Sequence, residues 1–256
     1  MPISNQFTRI YRISRILIHT TTGLTIAAVV LPFIQKSTKL SLIKWWCGGL
    51  LRAFNIKVIT FGDLPAADIQ GVMFVANHIS WSDIHALNSL IPLRFIAKSD
   101  IKNWPIFGYL VQKADTLFID RNKRHDAGRI VDITAESLIA GDNLCFFPEG
   151  TTTDGTGMNG LEGARVLPFK SSVLQAAIDA NTQVWPVAIK YVNTDGSINT
   201  AMAYAGETTL IASMQQVIMQ KNPVVELHFL TPLATEGQNR RDITQTAYDA
   251  IVAKLT

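Results

Sequence analysis

From residue 57 onward, short β-prone apolar runs alternate along the chain with stretches whose apolar residues recur at helical spacing. Seven runs predict strands, at residues 57–61, 72–76, 94–97, 116–119, 144–147, 184–190 and 224–229. Five stretches predict helices, at residues 82–90, 127–140, 171–180, 208–220 and 243–254. Strands that alternate with helices are typical of parallel sheets, because parallel neighbours need a crossover connection. The pattern predicts an α/β domain with a mixed, largely parallel sheet flanked by helices.

The first fifty residues have a different pattern, with two long apolar stretches. Residues 16–34 contain no Lys, Arg, Asp or Glu and are close to the length that crosses a hydrocarbon core, although Gly23 and Pro32 weaken a spanning helix. A second apolar stretch at residues 40–51 contains two tryptophans. We expect a helical hairpin that dips into one leaflet, with its flanking Arg and Lys residues at anionic lipid head groups. A single spanning helix and a buried core helix are the alternatives.

Composition and charge narrow the class of protein. The 256 residues, 48% of them hydrophobic, suit one α/β domain at residues 53–256 behind a helical membrane segment at residues 1–52. A net charge of +3 is compatible with anionic surfaces but too small to indicate a nucleic-acid partner, so none is expected. Cys47 and Cys145 lie far apart in apolar surroundings and predict neither a disulfide nor a metal site. They fit a reducing, intracellular compartment.

Candidate chemistry begins directly after the second predicted strand. The run Asn77-His78-Ile79-Ser80-Trp81-Ser82-Asp83 places an imidazole and a carboxylate five residues apart, on a loop that leads into a helix with Ser82 as its expected N-cap. Asp83 can turn back to one ring nitrogen of His78, which leaves the other nitrogen able to take a proton from a hydroxyl or water. On spacing alone, an incidental loop histidine and a first-turn carboxylate favoured by the helix dipole are equally compatible with the run.

Three further blocks follow in a fixed order. They are Ile96-Ala97-Lys98-Ser99-Asp100 continuing through Trp104-Pro105-Ile106-Phe107-Gly108 to Phe118-Ile119-Asp120-Arg121, then Phe146-Phe147-Pro148-Glu149-Gly150-Thr151, then Val184-Trp185-Pro186-Val187. With the first block, this order and spacing resemble the glycerolipid acyltransferase family of the 1-acyl-sn-glycerol-3-phosphate acyltransferase type, over about residues 57–256. The resemblance implies that acyl-CoA or acyl-ACP donates a fatty acyl group to the hydroxyl of a membrane lysolipid. It implies no further cofactor, and a location at the cytoplasmic face of the inner membrane.

The residues themselves support base catalysis. An alcohol attacks a thioester poorly unless its proton is removed as the bond forms, a contribution of about 10² to 10⁴ in rate. His78 is therefore the predicted general base, and Asp83 orients it and stabilises the imidazolium. A Ser-His-Asp hydrolase with Ser80 or Ser82 as nucleophile is the competing hypothesis, but the chain contains no Gly-x-Ser-x-Gly turn.

The resemblance also implies where substrates bind. It assigns the third block to acceptor binding and matches Lys98 to a position that contacts an acceptor phosphate. The predicted substrate-binding residues are Asn77, Lys98, Arg121, Glu149, Gly150, Thr151, Thr152 and Lys170. A metal built from His78, Asp83 and His85 lacks recognised ligand spacing, so no metal is expected.

Position 152 departs from the family pattern. Members that act on lysophosphatidic acid usually carry arginine here, and threonine cannot imitate its charged fork. Either Lys98, Arg165 or Lys170 supplies the charge, or the acceptor has no phosphate. The threonine-rich run at residues 149–155 is similar to bacterial lyso-ornithine lipid acyltransferases. Lysophosphatidate, giving phosphatidic acid, is the first expected acceptor, lyso-ornithine lipid is the alternative, and a non-catalytic membrane lipid-binding protein of the same fold is the third hypothesis.

Overall fold

A seven-stranded sheet lies at the centre of the structure, a computed structural model that describes residues 4–120, 126–157 and 165–256. The strands are β1 (Lys57–Phe61), β2 (Met73–Ala76), β3 (Arg94–Lys98), β4 (Leu117–Ile119), β5 (Leu144–Phe146), β6 (Val184–Val192) and β7 (Val224–Phe229). Their spatial order is β1-β7-β6-β2-β5-β3-β4. Strands β6, β2, β5, β3 and β4 are parallel, whereas β7 is antiparallel to β6 and pairs in parallel with β1. The predicted mixed, largely parallel sheet is confirmed.

Helices flank this sheet at positions close to those predicted. They are α1 (Gln6–Thr25), α2 (Lys36–Phe54), α3 (Ser82–Asn88), α4 (Phe107–Lys113), α5 (Asp126–Ile139), α6 (Gln175–Asp179), α7 (Leu210–Met219) and α8 (Arg240–Leu255). The five helices predicted after residue 57 are all present. The sequence pattern missed α4, because seven residues are too few to establish a helical period and one of them is Gly108.

The central strands are buried on both faces of the sheet. All residues of β2 and β5 are buried, and alternate side chains point to opposite faces. Phe74 packs in a cluster with Leu51 of α2 and Leu87 of α3, whereas Met73 packs on the other face with Ile130 of α5. Continuous apolar runs of this kind are expected where helices cover both faces of a parallel sheet. The two layers hold the carboxyl ends of β2 and β5 in a fixed position.

The amino-terminal helices form the expected hairpin. After α1 the chain continues through a π-helical turn, Ile26–Val30, and a 3₁₀ turn, Leu31–Phe33, before α2 begins. Two glycines permit close packing, because a Cβ at Gly23 would lie 2.2 Å from Trp46 Nε1 and one at Gly49 would lie 2.3 Å from the His19 ring. Helix α2 ends near the predicted boundary at residue 52.

Helix α1 keeps a large apolar surface outside the protein core. Its exposed side chains include Phe7, Leu17 and Ile18, and Phe33 follows at the turn. In the described part of the chain, Gln6–Phe33 is the one helical segment long and apolar enough to cross a membrane by length and composition, and little of it is buried. How deeply the hairpin enters a bilayer stays a prediction.

Candidate active site

The sheet brings three of the sequence blocks to the same edge. His78 follows the end of β2 by two residues, Glu149 follows the end of β5 by three, and Lys98 is the last residue of β3. Strands β2, β5 and β3 are parallel neighbours, so their carboxyl ends lie side by side. In α/β proteins this edge of the sheet is where ligands bind.

His78 and Asp83 form the dyad that the spacing predicts. His78 Nδ1 lies 2.8 Å from Asp83 Oδ2, which also accepts the backbone N–H groups of Ile79 and Ser80 at 2.8 and 2.9 Å. The other oxygen, Oδ1, accepts the hydroxyl of Tyr191 at 2.6 Å. Asp83 is fully buried, and these four donors compensate the lost hydration of its carboxylate.

Ser82 does not cap α3, so the predicted N-cap is wrong. Trp81 occupies the N-cap position and Ser82 is the first helical residue. Ser82 Oγ instead lies 2.7 Å from the Tyr191 hydroxyl and 3.1 Å from Ser80 Oγ. Both serines are fully buried in this cluster, which leaves neither hydroxyl accessible as the nucleophile of a hydrolase.

Two contacts hold the His78 ring, one with Phe147 on a face of the ring and one with Asp83 at Nδ1. The ring stacks on Phe147, with ring centroids 3.8 Å apart and planes inclined by 6°. With Nδ1 donating to Asp83, the neutral ring presents Nε2 as a proton acceptor. No residue in the described ranges hydrogen-bonds to Nε2, and the side chain is 18% exposed. The geometry therefore suits a base that acts on a group arriving from outside the protein.

Glu149 fixes the backbone of the same loop. Its Oε1 accepts the N–H of His78 and its Oε2 accepts the N–H of Leu167, both at 2.7 Å. Burial raises the pKa of Glu149 to about 8, and the negative charge of Asp83 adds to the increase, although the two N–H donors oppose it. Both oxygens are thus used inside the protein. The substrate contact expected of this side chain stays a prediction.

The threonine-rich loop after Glu149 closes over His78. Gly150 has a φ of 74°, which glycine adopts at little cost and which turns the chain. Thr151 is exposed, whereas Thr152 donates its hydroxyl to the carbonyl of Tyr204. The N–H of Thr153 donates to the carbonyl of His78 at 2.8 Å. A backbone hydrogen bond therefore joins the loop to the segment that carries His78.

The other predicted binding residues are distributed more widely. The amide of Asn77 bonds both backbone groups of Ile189 on β6, at 2.9 and 2.7 Å, so it joins two strands. Lys98 is exposed at the sheet edge, and the backbone of exposed Lys170 donates to the carbonyl of Pro148. Arg165 donates to the carbonyl of Leu255 at the end of α8. Arg121 lies outside the described residues.

Comparisons with known proteins identify the family of this chain. Residues 56–190, more than half of the chain, match the family model described as Acyltransferase. The chain belongs to this acyltransferase family. It is 33% identical over 224 residues to the lyso-ornithine lipid O-acyltransferase of Pseudomonas aeruginosa, covering 88% of this chain and 80% of that one. It is 36% identical over 209 residues to the 1-acyl-sn-glycerol-3-phosphate acyltransferase of Neisseria meningitidis, covering 80% and 78%.

A solved structure supports the fold of this acyltransferase. The 1-acyl-sn-glycerophosphate acyltransferase PlsC of Thermotoga maritima superimposes with a TM-score of 0.64 at 20% identity, covering 95% of this chain and 96% of that one. The chain is thus an enzyme of lipid biosynthesis whose family uses an acyl donor and lipid substrates. The relatives are named for two different acceptors, and the names do not decide between them for this protein.

An apolar cavity of about 170 Å³ lies between the amino-terminal hairpin and the catalytic domain of the acyltransferase. Its lining includes Trp46 of α2, Ile84 of α3, Phe95 of β3 and Leu110 of α4. His85 also faces it, but burial lowers the pKa of His85 to about 4, so the ring is uncharged at neutral pH. Two of the residues that line the cavity, Ile84 and His85, directly follow Asp83 in α3.

Sequence reasoning missed Tyr191. This residue is the last but one of β6, four positions after the fourth block, and is 1% exposed. The available signal was a tyrosine in a largely apolar strand, whose hydroxyl needs a partner where it is buried. A core tyrosine bonded to any carbonyl gives the same signal. Only the pairing of β6 beside β2 brings it to Asp83.

Proposed function

We propose that this acyltransferase transfers a fatty acyl group from acyl-CoA or acyl-ACP to the free hydroxyl of a lysolipid, with His78 as general base. The observation that carries the proposal is the 2.8 Å contact between His78 Nδ1 and the buried Asp83, together with an Nε2 that faces no described partner. The membership of the acyltransferase family supports the reaction class.

The chemistry balances without an enzyme nucleophile. Nε2 of His78 takes the proton of the acceptor hydroxyl while that oxygen bonds to the thioester carbonyl carbon. The tetrahedral intermediate then expels the thiolate as the carbon–sulfur bond breaks, and the imidazolium returns its proton to sulfur. The products are an ester and a free thiol. Asp83 stabilises the imidazolium between the two proton transfers.

The apolar cavity supports a lipid substrate for this site. A saturated chain gains about 0.8 kcal/mol for each methylene that leaves water, so a cavity without charged side chains favours acyl chains. Hairpin residues such as Trp46 also line it, so the cavity adjoins the segment that we expect to enter a leaflet. We place one acyl chain of the donor or the acceptor here.

The inner membrane, with the catalytic domain in the cytoplasm, is the proposed location. The exposed apolar side chains of α1 support insertion into a leaflet, and the two free cysteines fit a reducing compartment. Replacing Leu17 and Ile18 with glutamate should release the protein from phospholipid vesicles in a flotation assay. Vesicle binding that is unchanged in this variant would contradict insertion of α1.

Two acceptor head groups remain candidates for this site. Lysophosphatidate is the first, because exposed Lys98 lies at the same sheet edge as His78 and can meet a phosphate. Lyso-ornithine lipid is the second. It is favoured by Thr152, whose hydroxyl bonds to the Tyr204 carbonyl, and by Arg165, which bonds to the Leu255 carbonyl. Thr152 carries no charge, and Nη1 of Arg165 is used inside the protein.

The decisive experiment measures transfer directly. Purified protein receives labelled acyl-CoA or acyl-ACP and a panel of lysolipids that includes both candidate acceptors. We expect transfer that falls by at least about 10² in His78→Ala, by the usual contribution of a general base. His228→Gln is the matched control, because the His228 ring contacts Glu226 and Phe61 and makes no described contact with His78 or Asp83. Absence of transfer to every acceptor would favour the lipid-binding hypothesis.

A further inference from the structure

The strand β6 supplies a side chain to the dyad that none of the four sequence blocks contains. Tyr191 is buried, and its hydroxyl donates to Asp83 Oδ1 at 2.6 Å. Among the described residues it is the only donor to that oxygen, whereas Oδ2 holds His78 Nδ1 and two backbone N–H groups. The two oxygens of the Asp83 carboxylate therefore contact different side chains, Oδ2 that of His78 and Oδ1 that of Tyr191.

We propose that Tyr191 is a positioning residue for acyl transfer, which fixes the Asp83 carboxylate and thereby sets the orientation and basicity of His78. The inference rests on the proposed role of His78 as the base. Three donors already hold Oδ2. The charge-assisted hydrogen bond to Oδ1 further restrains rotation of the carboxylate about its terminal bond, which keeps Oδ2 directed at the ring.

The surroundings of Tyr191 maintain it as a donor. Its oxygen also lies 2.7 Å from Ser82 Oγ, so the neighbouring serine can donate to it while the phenol hydrogen points to Asp83. Burial and the negative charge of Asp83 raise the pKa of Tyr191 well above its usual value. The phenol therefore remains protonated at every pH at which the enzyme would be assayed. Its effect on Asp83 is constant and can be removed only by substitution.

The expected direction of the pH shift follows from how the Tyr191 hydrogen bond distributes charge over the Asp83 carboxylate. A hydrogen bond to Oδ1 draws negative charge away from Oδ2, which stabilises the His78 imidazolium less. Removing the Tyr191 hydroxyl should therefore make His78 more basic and also less well oriented. The acid limb of the kcat/KM profile reports the ionisation of the free enzyme's base, so it should move to higher pH. The loss of orientation should lower kcat.

Tyr191→Phe is the test, because it removes one oxygen and keeps the volume of the ring. We expect kcat to fall on the order of tenfold with little change in either KM, since Tyr191 does not touch the substrates. The acid limb should rise by about half a pH unit or more. Tyr248→Phe is the matched control. This variant also loses a tyrosine hydrogen bond, here to the carbonyl of Val166. Tyr248 lies on α8 and does not contact Asp83.

A fluorinated tyrosine at position 191 provides the opposite perturbation. Its more acidic hydroxyl is a stronger donor, so the acid limb should move to lower pH while the fold is unchanged. A residue with only a structural role would move the melting temperature without moving this limb. If Tyr191→Phe does not fold, the fluorinated protein alone decides the question. An acid limb that does not move in either protein overturns the proposal.

These experiments distinguish failure of the positioning role of Tyr191 from failure of the proposed function. Full activity in His78→Ala would refute the function and leave nothing for Tyr191 to position. An inactive His78→Ala together with a Tyr191→Phe enzyme of unchanged kcat and pH profile would refute only the positioning role. A fall in kcat without any shift of the limb, accompanied by an equal loss in melting temperature for Tyr191→Phe and Tyr248→Phe, would assign Tyr191 to the core.

Discussion

Two buried carboxylates contact His78 in different ways. Asp83 contacts the ring through Nδ1, whereas Glu149 contacts the backbone N–H of the same residue. Asp83 accepts four donors, including two side chains, and Glu149 accepts two backbone N–H groups. In the mechanism that we propose, this difference separates two tasks. Asp83 would act on the chemistry of the base, and Glu149 would act on the position of the loops around it.

The largest effect should come from Asp83→Asn. The amide has nearly the same shape, but it cannot carry the charge that stabilises the imidazolium. We expect kcat to fall by about 10³ to 10⁴ with a small change in KM, by analogy with the same substitution in hydrolase triads. Steady-state kinetics with one donor and one acceptor measure this.

Asp115→Asn is the control for that experiment. Asp115 forms an ion pair with Lys39 and is half exposed, so it loses a charge without touching the dyad. Activity within a few-fold of wild type is expected for this variant. Comparable losses in both aspartate variants would mean that Asp83 contributes through folding rather than through His78.

Glu149→Gln should have a smaller effect of another kind. Above about pH 8 the Glu149 carboxyl is ionised and both oxygens accept N–H groups. The amide NH₂ would then face one of these two donors, at a cost of about 1–3 kcal/mol for the unpaired group. We expect kcat/KM to fall about tenfold to a hundredfold, mainly through KM for the acceptor, because the displaced loops carry Thr151 and Thr152. The exposed Glu207→Gln is the control. A pure loss of kcat in Glu149→Gln would show that Glu149 acts on the chemistry, and the division between the carboxylates would be wrong.

The pH dependence of stability should distinguish the two carboxylates further. The pKa of Glu149 is raised in the folded state, from 4.5 to about 8, so the folded protein binds this proton more tightly than the unfolded chain does. The stabilisation is complete below pH 4.5 and is lost as the pH rises through about 8. The melting temperature should therefore fall across this window, and the fall should be smaller in Glu149→Gln. An equal slope in the two proteins would contradict a buried, protonated carboxyl.

The same contrast explains how much of the site the sequence could predict. His78 and Asp83 are five residues apart across one loop-to-helix turn, so local spacing permitted their contact, and the order of the other blocks then favoured it over an incidental pair. The parallel strand order then placed Glu149 at the same edge, as alternating strands and helices predict. Tyr191 comes from a strand more than a hundred positions away, and its approach depends on the side-by-side pairing of β6 with β2. Periodicity specifies which residues form strands but not which strand neighbours which.

The capping of α3 was predicted wrongly for a related reason. Ser82 has the residue type of an N-cap, and propensity rules consider one residue at a time. Here Ser82 is the first residue of the helix, and its hydroxyl lies against Ser80 and Tyr191 in the buried cluster beside Asp83. The contact with Tyr191 depends on β6, which is far away in the sequence, so a local sequence pattern does not contain it.

The smallest expected effect concerns the choice of acceptor and comes from the loop that follows Glu149. In Thr152→Arg, a charged fork replaces a hydroxyl that bonds to the Tyr204 carbonyl, so the loop loses one contact and gains a partner for phosphate. The ratio of kcat/KM for lysophosphatidate to that for lyso-ornithine lipid should rise by about threefold to tenfold, the range expected of one exposed ionic contact. Thr151→Arg, which adds the same charge at the exposed neighbouring position, should change the ratio less. An unchanged ratio in Thr152→Arg would show that position 152 does not recognise the head group, and the choice of acceptor would then depend on residues outside the loop that Glu149 positions.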